Sequence, residues 1–243
     1  MGGLAHYLES AGLATTQISL VRLHSEIIRP PRALWVPFEL GRPFGPPRDA
    51  AFQTRVVRAA LELLERSAGP LLEDFPDESP APPADEAAWS CPVNFTPPPQ
   101  NLSGDAALAA ALADEFARLV PWYERSVEAL GRTTVGACPI AIEAVCDYFR
   151  ELLTAADAPP PIAALQPADA IRLAAEDLKA FYFEAAAAQP GAASSARLTA
   201  WFWHETHAGG VLRTLKERFA ASADPDLVLL GQLLLVPRVA LDP

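Results

Sequence analysis

The sequence predicts an α/β front unit with few strands followed by an α-helical half, predominantly helical overall. Three observations carry this. Short β-branched or apolar runs alternate with amphipathic stretches over the first 75 residues, and an acidic, proline-rich segment follows. Beyond residue 103 nearly every segment repeats its apolar residues at helical spacing. The domains read from this are a small α/β unit at 1–75, a connector at 76–103 and a helical region at 104–243.

In the front unit, residues 4–10 put Leu4, Tyr7 and Leu8 on one helical face, and Gly12 can close that helix in the left-handed conformation. The β-branched run 15–21 and the apolar run 33–36 are predicted strands, joined by a loop. Two glycines and three prolines between residues 39 and 47 exclude regular structure there. Asp49 is placed to cap a helix over 50–67 whose apolar stripe includes Phe52, Val56, Ala60 and Leu64.

From Pro70 to Pro99 the chain interleaves Glu73, Asp74, Asp77, Glu78, Asp85 and Glu86 with prolines and carries no basic residue. The expectation is an extended, solvated connector. Inside it, residues 89–95 form an apolar island containing Trp89, Cys91 and Phe95. It is expected to dock on a folded surface, since burying each large aromatic is worth roughly 1.5–3 kcal/mol.

Helices are then predicted over 105–119, 122–130, 139–154, 167–188, 196–208 and 211–220, with a short apolar helix from Asp224-Pro225 to Pro237. Pro121 is expected to kink or end the first of these, and Gly209-Gly210 to bend or divide the chain near 209.

With 19 basic and 30 acidic residues the formal charge is −11, so there is no overall basic surface for nucleic acid or anionic membranes. Three cysteines are too few for a disulfide framework. The longest apolar run, 227–236, is interrupted by Gly231 and Gln232 and is about half the length of a membrane span. The N-terminus lacks the basic-then-apolar pattern of a secretory signal. The expectation is a cytoplasmic protein without nucleic-acid or membrane partners, and no cofactor is indicated.

Two cysteines are candidate catalytic thiols. Cys138 precedes Pro139 at the predicted start of a helix, where unpaired N–H groups and the helix dipole favour thiolate; the plainer reading is a small apolar side chain filling the turn. Cys91, in the aromatic island, has no predicted helix to activate it, and Cys146 reads as core. The run His204-Glu205-Thr206-His207 resembles a zinc-protease helix, but its histidines are three apart where that site needs four. Trp201, Phe202 and Trp203 make an aromatic stripe beside it. Arg172, Glu176 and Lys179 read as surface ion pairs on one helix. The loop holding Pro37, Gly41, Arg42 and Pro43 could approach an anion with its backbone, with Arg48 nearby.

The front segment, Ala11-Gly12-Leu13-Ala14-Thr15-Thr16-Gln17-Ile18 followed by Arg32-Ala33-Leu34-Trp35-Val36-Pro37-Phe38-Glu39-Leu40-Gly41-Arg42-Pro43, resembles the selenoprotein B component of the glycine/sarcosine/betaine reductases. It is also similar to the related D-proline reductase subunit. The resemblance covers roughly residues 4–75. It implies a helix ending in Ala-Gly, a strand, a Pro-x-x-Leu-Gly-x-Pro loop (Pro37, Leu40, Gly41, Pro43) and an amphipathic helix. The family's chemistry is reductive carbon–nitrogen cleavage by a selenol or thiol, in some members with a carbonyl group on a partner subunit. Its selenocysteine or cysteine element stands just before the first helix, whereas here no cysteine precedes Cys91. A substitute thiol would come from Cys91, Cys138, another subunit or an upstream extension.

The leading expectation is therefore a reductase-B-like protein, an auxiliary or degenerate subunit of a thiol-dependent oxidoreductase acting on a small amine or amino-acid derivative. Its partner would supply the thiol, selenol or carbonyl group, and a homo-oligomer is compatible with the sequence. One alternative is a non-catalytic interaction or scaffold protein using the aromatic island and the 201–203 stripe as an apolar patch. The other is a metal-dependent enzyme using His204, Glu205 and His207.

Overall fold

A computed structural model describes residues 2–47, 49–66, 69–78, 104–155, 158–191, 193–237 and 240. The protein is predominantly helical, with one small parallel sheet near its N-terminus. It divides into two compact units, Met1–Pro82 and Pro83–Pro243.

The first unit runs α1 (Gly2–Ser10), β1 (Gln17–Ser19), α2 (Arg22–Ile28), β2 (Arg32–Trp35), α3 (Ala50–Glu62) with a 3-10 turn (Leu63–Glu65), and β3 (Leu71–Asp74). The strands pair in the order β1-β2-β3, all parallel. Asp49 caps α3 as expected, its side chain accepting from the Phe52 N–H at 2.9 Å. That helix lays Phe52, Val56, Ala60 and Leu63 on Leu34, Val36, Phe38 and Phe75, which together form the unit's core.

Two elements correct the sequence reading. Helix α2 occupies the expected loop between the strands; it is short, its preceding residue Val21 offers no side-chain cap, and Leu23 and Ile27 are exposed, so it lacks the usual signals. Strand β3 lies inside the acidic stretch taken for a connector. Its two carboxylates are matched from outside it, Glu73 by Arg66 at 3.5 Å and Asp74 by Arg22 at 3.1 Å, and pairing with β2 supplies the hydrogen bonds. The island 89–95, Cys91 included, lies outside the described residues.

The second unit comprises α4 (Gly104–Leu130), α5 (Ile142–Thr154), α6 (Pro167–Ala187), α7 (Ser195–Glu205), α8 (His207–Ala220) and α9 (Pro225–Leu229), which continues into a π-helical turn at Leu230–Leu234. Helix α4 packs chiefly on α5 and α6. Aromatic side chains fill the interior: Phe116 stacks on Phe181 at 4.4 Å between ring centres, and Tyr182 meets Phe202 edge-on at 5.5 Å.

Pro121 neither ends nor interrupts α4. The carbonyl it leaves unpaired, four residues back on Ala117, is on the exposed face, where water can take the missing bond. Gly209 and Gly210 do not divide the chain; the break falls at Thr206, which caps α8 by accepting from the Gly209 N–H at 3.0 Å. Glycine is needed at 209 because a Cβ there would lie inside the Phe202 carbonyl of the preceding helix. Trp201, Phe202 and Trp203 are all buried, so this stripe is core and not an apolar patch awaiting a partner. Among the described residues, no helix is long and apolar enough to cross a membrane.

Candidate functional site at the carboxyl edge of the sheet

In the first unit, the last residues of all three strands stand in register: Ser19 opposite Trp35, and Trp35 opposite Asp74. Register partners in parallel strands share a face, so the three side chains form one row across the sheet. Helix α2 covers that row. Ser25 donates its hydroxyl to Ser19 Oγ at 2.6 Å, and Arg22 donates Nε–H to Asp74 Oδ1 at 3.1 Å. The Arg22 guanidinium also lies over the Trp35 ring, 5.9 Å from its centre, and pairs with Glu26. The carboxylate partners raise the Arg22 pKa, with Asp74 the leading cause. Ser19 and Ser25 are buried, whereas Arg22 and Asp74 are nearly half exposed at 42% and 48%. A carboxylate, a guanidinium and an indole are thus brought together at the carboxyl end of a parallel sheet, the edge at which open α/β sheets bind ligands.

The loop with Pro37, Gly41, Arg42 and Pro43 leaves the same edge, following the strand that ends in Trp35. It is built from two consecutive turns. Arg42 N–H donates to the Glu39 carbonyl at 2.9 Å around Gly41, whose φ of 92° is open to glycine. Gly45 N–H then donates to the Arg42 carbonyl at 3.0 Å, with Pro43 in the position that prolines favour. Gln53 of α3 anchors the loop's end by donating to the Pro46 carbonyl at 2.8 Å. Arg42 pairs with Glu39 at 3.5 Å, and Arg48 lies outside the described residues.

No protein-family model matches this chain, nor does any curated protein or solved structure.

The second unit places the other sequence candidates differently. Helix α5 begins at Ile142, not 139, so Cys138 sits in the preceding loop and is fully buried. Burial pushes its thiol pKa up, and Asp177 pushes it further. The expected thiolate-favouring helix terminus is therefore absent at Cys138. Cys146 is also buried, and desolvation lifts its pKa to about 12. His204 is exposed at the end of α7, while His207 is half-buried at the start of α8, where desolvation lowers its pKa against a raising effect of Asp114. The two histidines thus sit on different helices and not on one face. Among the described residues, no group of three His, Cys, Asp or Glu side chains could hold a metal. Lys179 pairs with Glu176 at 2.8 Å as read from the sequence, whereas Arg172 turns to Asp169 at 3.8 Å.

The sequence offers Glu176-Asp177 as a carboxylate pair on one helix but does not lead to the expectation that Asp177 and Glu115 are both fully buried. Asp177 on α6 accepts three successive backbone N–H groups, from Gly136 and Ala137 at 2.8 Å and Cys138 at 2.9 Å. Glu115 on α4 accepts from the Tyr182 hydroxyl at 2.7 Å and from the His207 and Ala208 N–H groups at 2.8 and 3.1 Å. Burial raises Glu115 to about 7 against the lowering pull of those donors. A signal was available. Asp177 is flanked at helical spacing by Ala174 and Phe181, and Glu115 by Leu112 and Leu119, so each acid falls on an apolar stripe. Both accept backbone N–H groups, so Asp177 fastens the 136–138 loop to α6 and Glu115 fastens the start of α8 to α4.

Proposed function

We propose that this chain is an auxiliary, reductase-B-like subunit whose first unit holds a small amine-bearing ligand, while a partner subunit supplies the attacking thiol or selenol. The observation that carries this reading is the Ser19–Trp35–Asp74 row with Arg22 above it. An amino acid or N-alkylated derivative suits this arrangement. Its ammonium would pair with Asp74 and its carboxylate would take Arg22 in bidentate fashion, the ligand opening the Arg22–Asp74 pair as it binds. Pro37, Gly41, Arg42 and Pro43 would border the ligand from the loop that follows Trp35. The resemblance of residues 4–75 to the reductase component supports the same substrate class. The burial and raised pKa of Cys138 and Cys146 support an external nucleophile.

Calorimetric titration with glycine and N-methylglycine tests this. The intact chain is expected to bind saturably, and D74N to lose about tenfold or more in affinity. The stability cost of D74N should stay under about 1 kcal/mol, because the ion pair is exposed. A chain with Cys91, Cys138 and Cys146 all changed to Ser should bind as wild type if it folds. Absence of saturable binding, or unchanged affinity in D74N, contradicts the reading.

A non-catalytic interaction role is favoured by a different observation: Tyr7, Leu23 and Ile27 are 72%, 65% and 72% exposed on α1 and α2. Light scattering after size exclusion would show a stable oligomer under that reading.

A further inference from the structure

At the opposite, amino edge of the sheet, the segments leading into β2 and β3 border an open cavity of about 560 Å3. His6, Glu9, Arg29, Pro31, Arg32 and Pro70 are among its walls. The volume is in the range of small-molecule sites.

The charges in it do not balance. The Arg32 side chain, only 11% exposed, pairs with Glu9 at 2.6 Å and donates Nε–H to the Arg66 carbonyl at 3.0 Å. Glu9 also accepts the Thr15 N–H at 2.6 Å and the Thr15 hydroxyl at 3.0 Å, all three donors meeting on its Oε1, so its charge is matched by Arg32. Arg29 is left over. Its guanidinium is exposed and has no hydrogen-bond or ion-pair partner among the described residues.

The backbone at Arg29 gives no reason for an arginine. It ends α2 in the left-handed conformation, φ 51° and ψ 58°, where glycine or asparagine sits with less strain. The Arg29 charge, uncommitted beside the cavity, is available to a ligand there. One free cation matches one negative charge, a guanidinium matches the fork of a carboxylate, and Pro31, Pro70 and Ile28 supply apolar walls.

We propose that this cavity binds a small organic monocarboxylate with an apolar body, Arg29 taking the carboxylate and the proline walls taking the body. The site is separate from the row at the carboxyl edge and does not depend on ligand binding there.

Benzoate is a suitable probe, titrated into the full chain at constant ionic strength and followed by amide chemical shifts. The expected result is saturable movement of the Arg29, Arg32 and Gly69 amides, with no saturation by the neutral isostere benzamide. R29G should weaken benzoate by about tenfold or more, as loss of a charge-assisted pair requires. Its melting temperature should be equal to or above wild type, because glycine relieves the positive φ. R29K, which keeps charge but loses the fork, should fall between them, and D74N should bind benzoate normally. No saturable movement, equal binding of benzamide, or undiminished affinity in R29G overturns the proposal.

Discussion

Tyr182 donates its hydroxyl hydrogen to Glu115 across 2.7 Å, joining α6 to α4 at the point where Glu115 also accepts the first backbone N–H groups of α8. One buried carboxylate therefore fastens three helices. Y182F would leave Glu115 short of a donor and is expected to cost about 1–3 kcal/mol, measured by urea unfolding.

Glu115 also sets a pH dependence. Its carboxyl lies at about 7 in the folded chain against an ordinary 4.5. A raised pKa means that the folded state holds the proton more tightly, so this stabilising contribution is complete below pH 4.5 and is lost as pH rises through 7. Stability is expected to fall between pH 5 and pH 8 by at most about 3 kcal/mol from this group. The fall should be absent in E115Q; urea melts of both proteins at the two pH values decide it.

Asp177 is the second fastening. D177A would orphan three backbone donors, one of them on the buried Cys138. A loss of roughly 1–3 kcal/mol is expected, the cost of the buried Cys138 N–H left without an acceptor, since Gly136 and Ala137 are exposed and water can reach their N–H groups. Faster labelling of Cys138 by a thiol reagent should accompany it.

Cys138 and Cys146 should be unreactive in the folded chain. Lifting Cys146 from 9.0 to about 12 leaves about a thousandth of the thiolate at a given pH. Iodoacetamide at pH 8, followed by peptide mass spectrometry, is expected to mark Cys138 and Cys146 only after unfolding.

At the α7–α8 corner, G209A would force a methyl group into the Phe202 carbonyl, which is backbone and cannot swing away. The expected cost is about 1–3 kcal/mol or more, whereas G210A, whose nearest neighbour is the Leu108 side chain at 3.7 Å, should cost much less. Thermal melts of the two variants compare them directly.

The helical half was legible because its signals are local: Ala- and Leu-rich periodicity, Pro167 at a helix start and the Asp224 cap all lie in the sequence itself. What escaped depends on distant partners. Strand β3 reads as an acidic connector until Arg22 and Arg66 are brought to its carboxylates. Cys138 looks activated until α5 is seen to start three residues beyond the proline, with Asp177 taking the loop's N–H groups. At the candidate site, the sequence shows the Gly41 loop through its turn chemistry. It does not show that Ser19, Trp35 and Asp74 fall in one row, because that follows from strand register.

The most direct test of the row as a ligand platform is amide-shift mapping of the full chain during a glycine titration. Saturable movement is expected at Ser19, Arg22, Trp35, Asp74 and the 37–43 loop, and D74N should shift its midpoint about tenfold or more to higher glycine. Movement confined to other residues, or none at saturating glycine, contradicts the account.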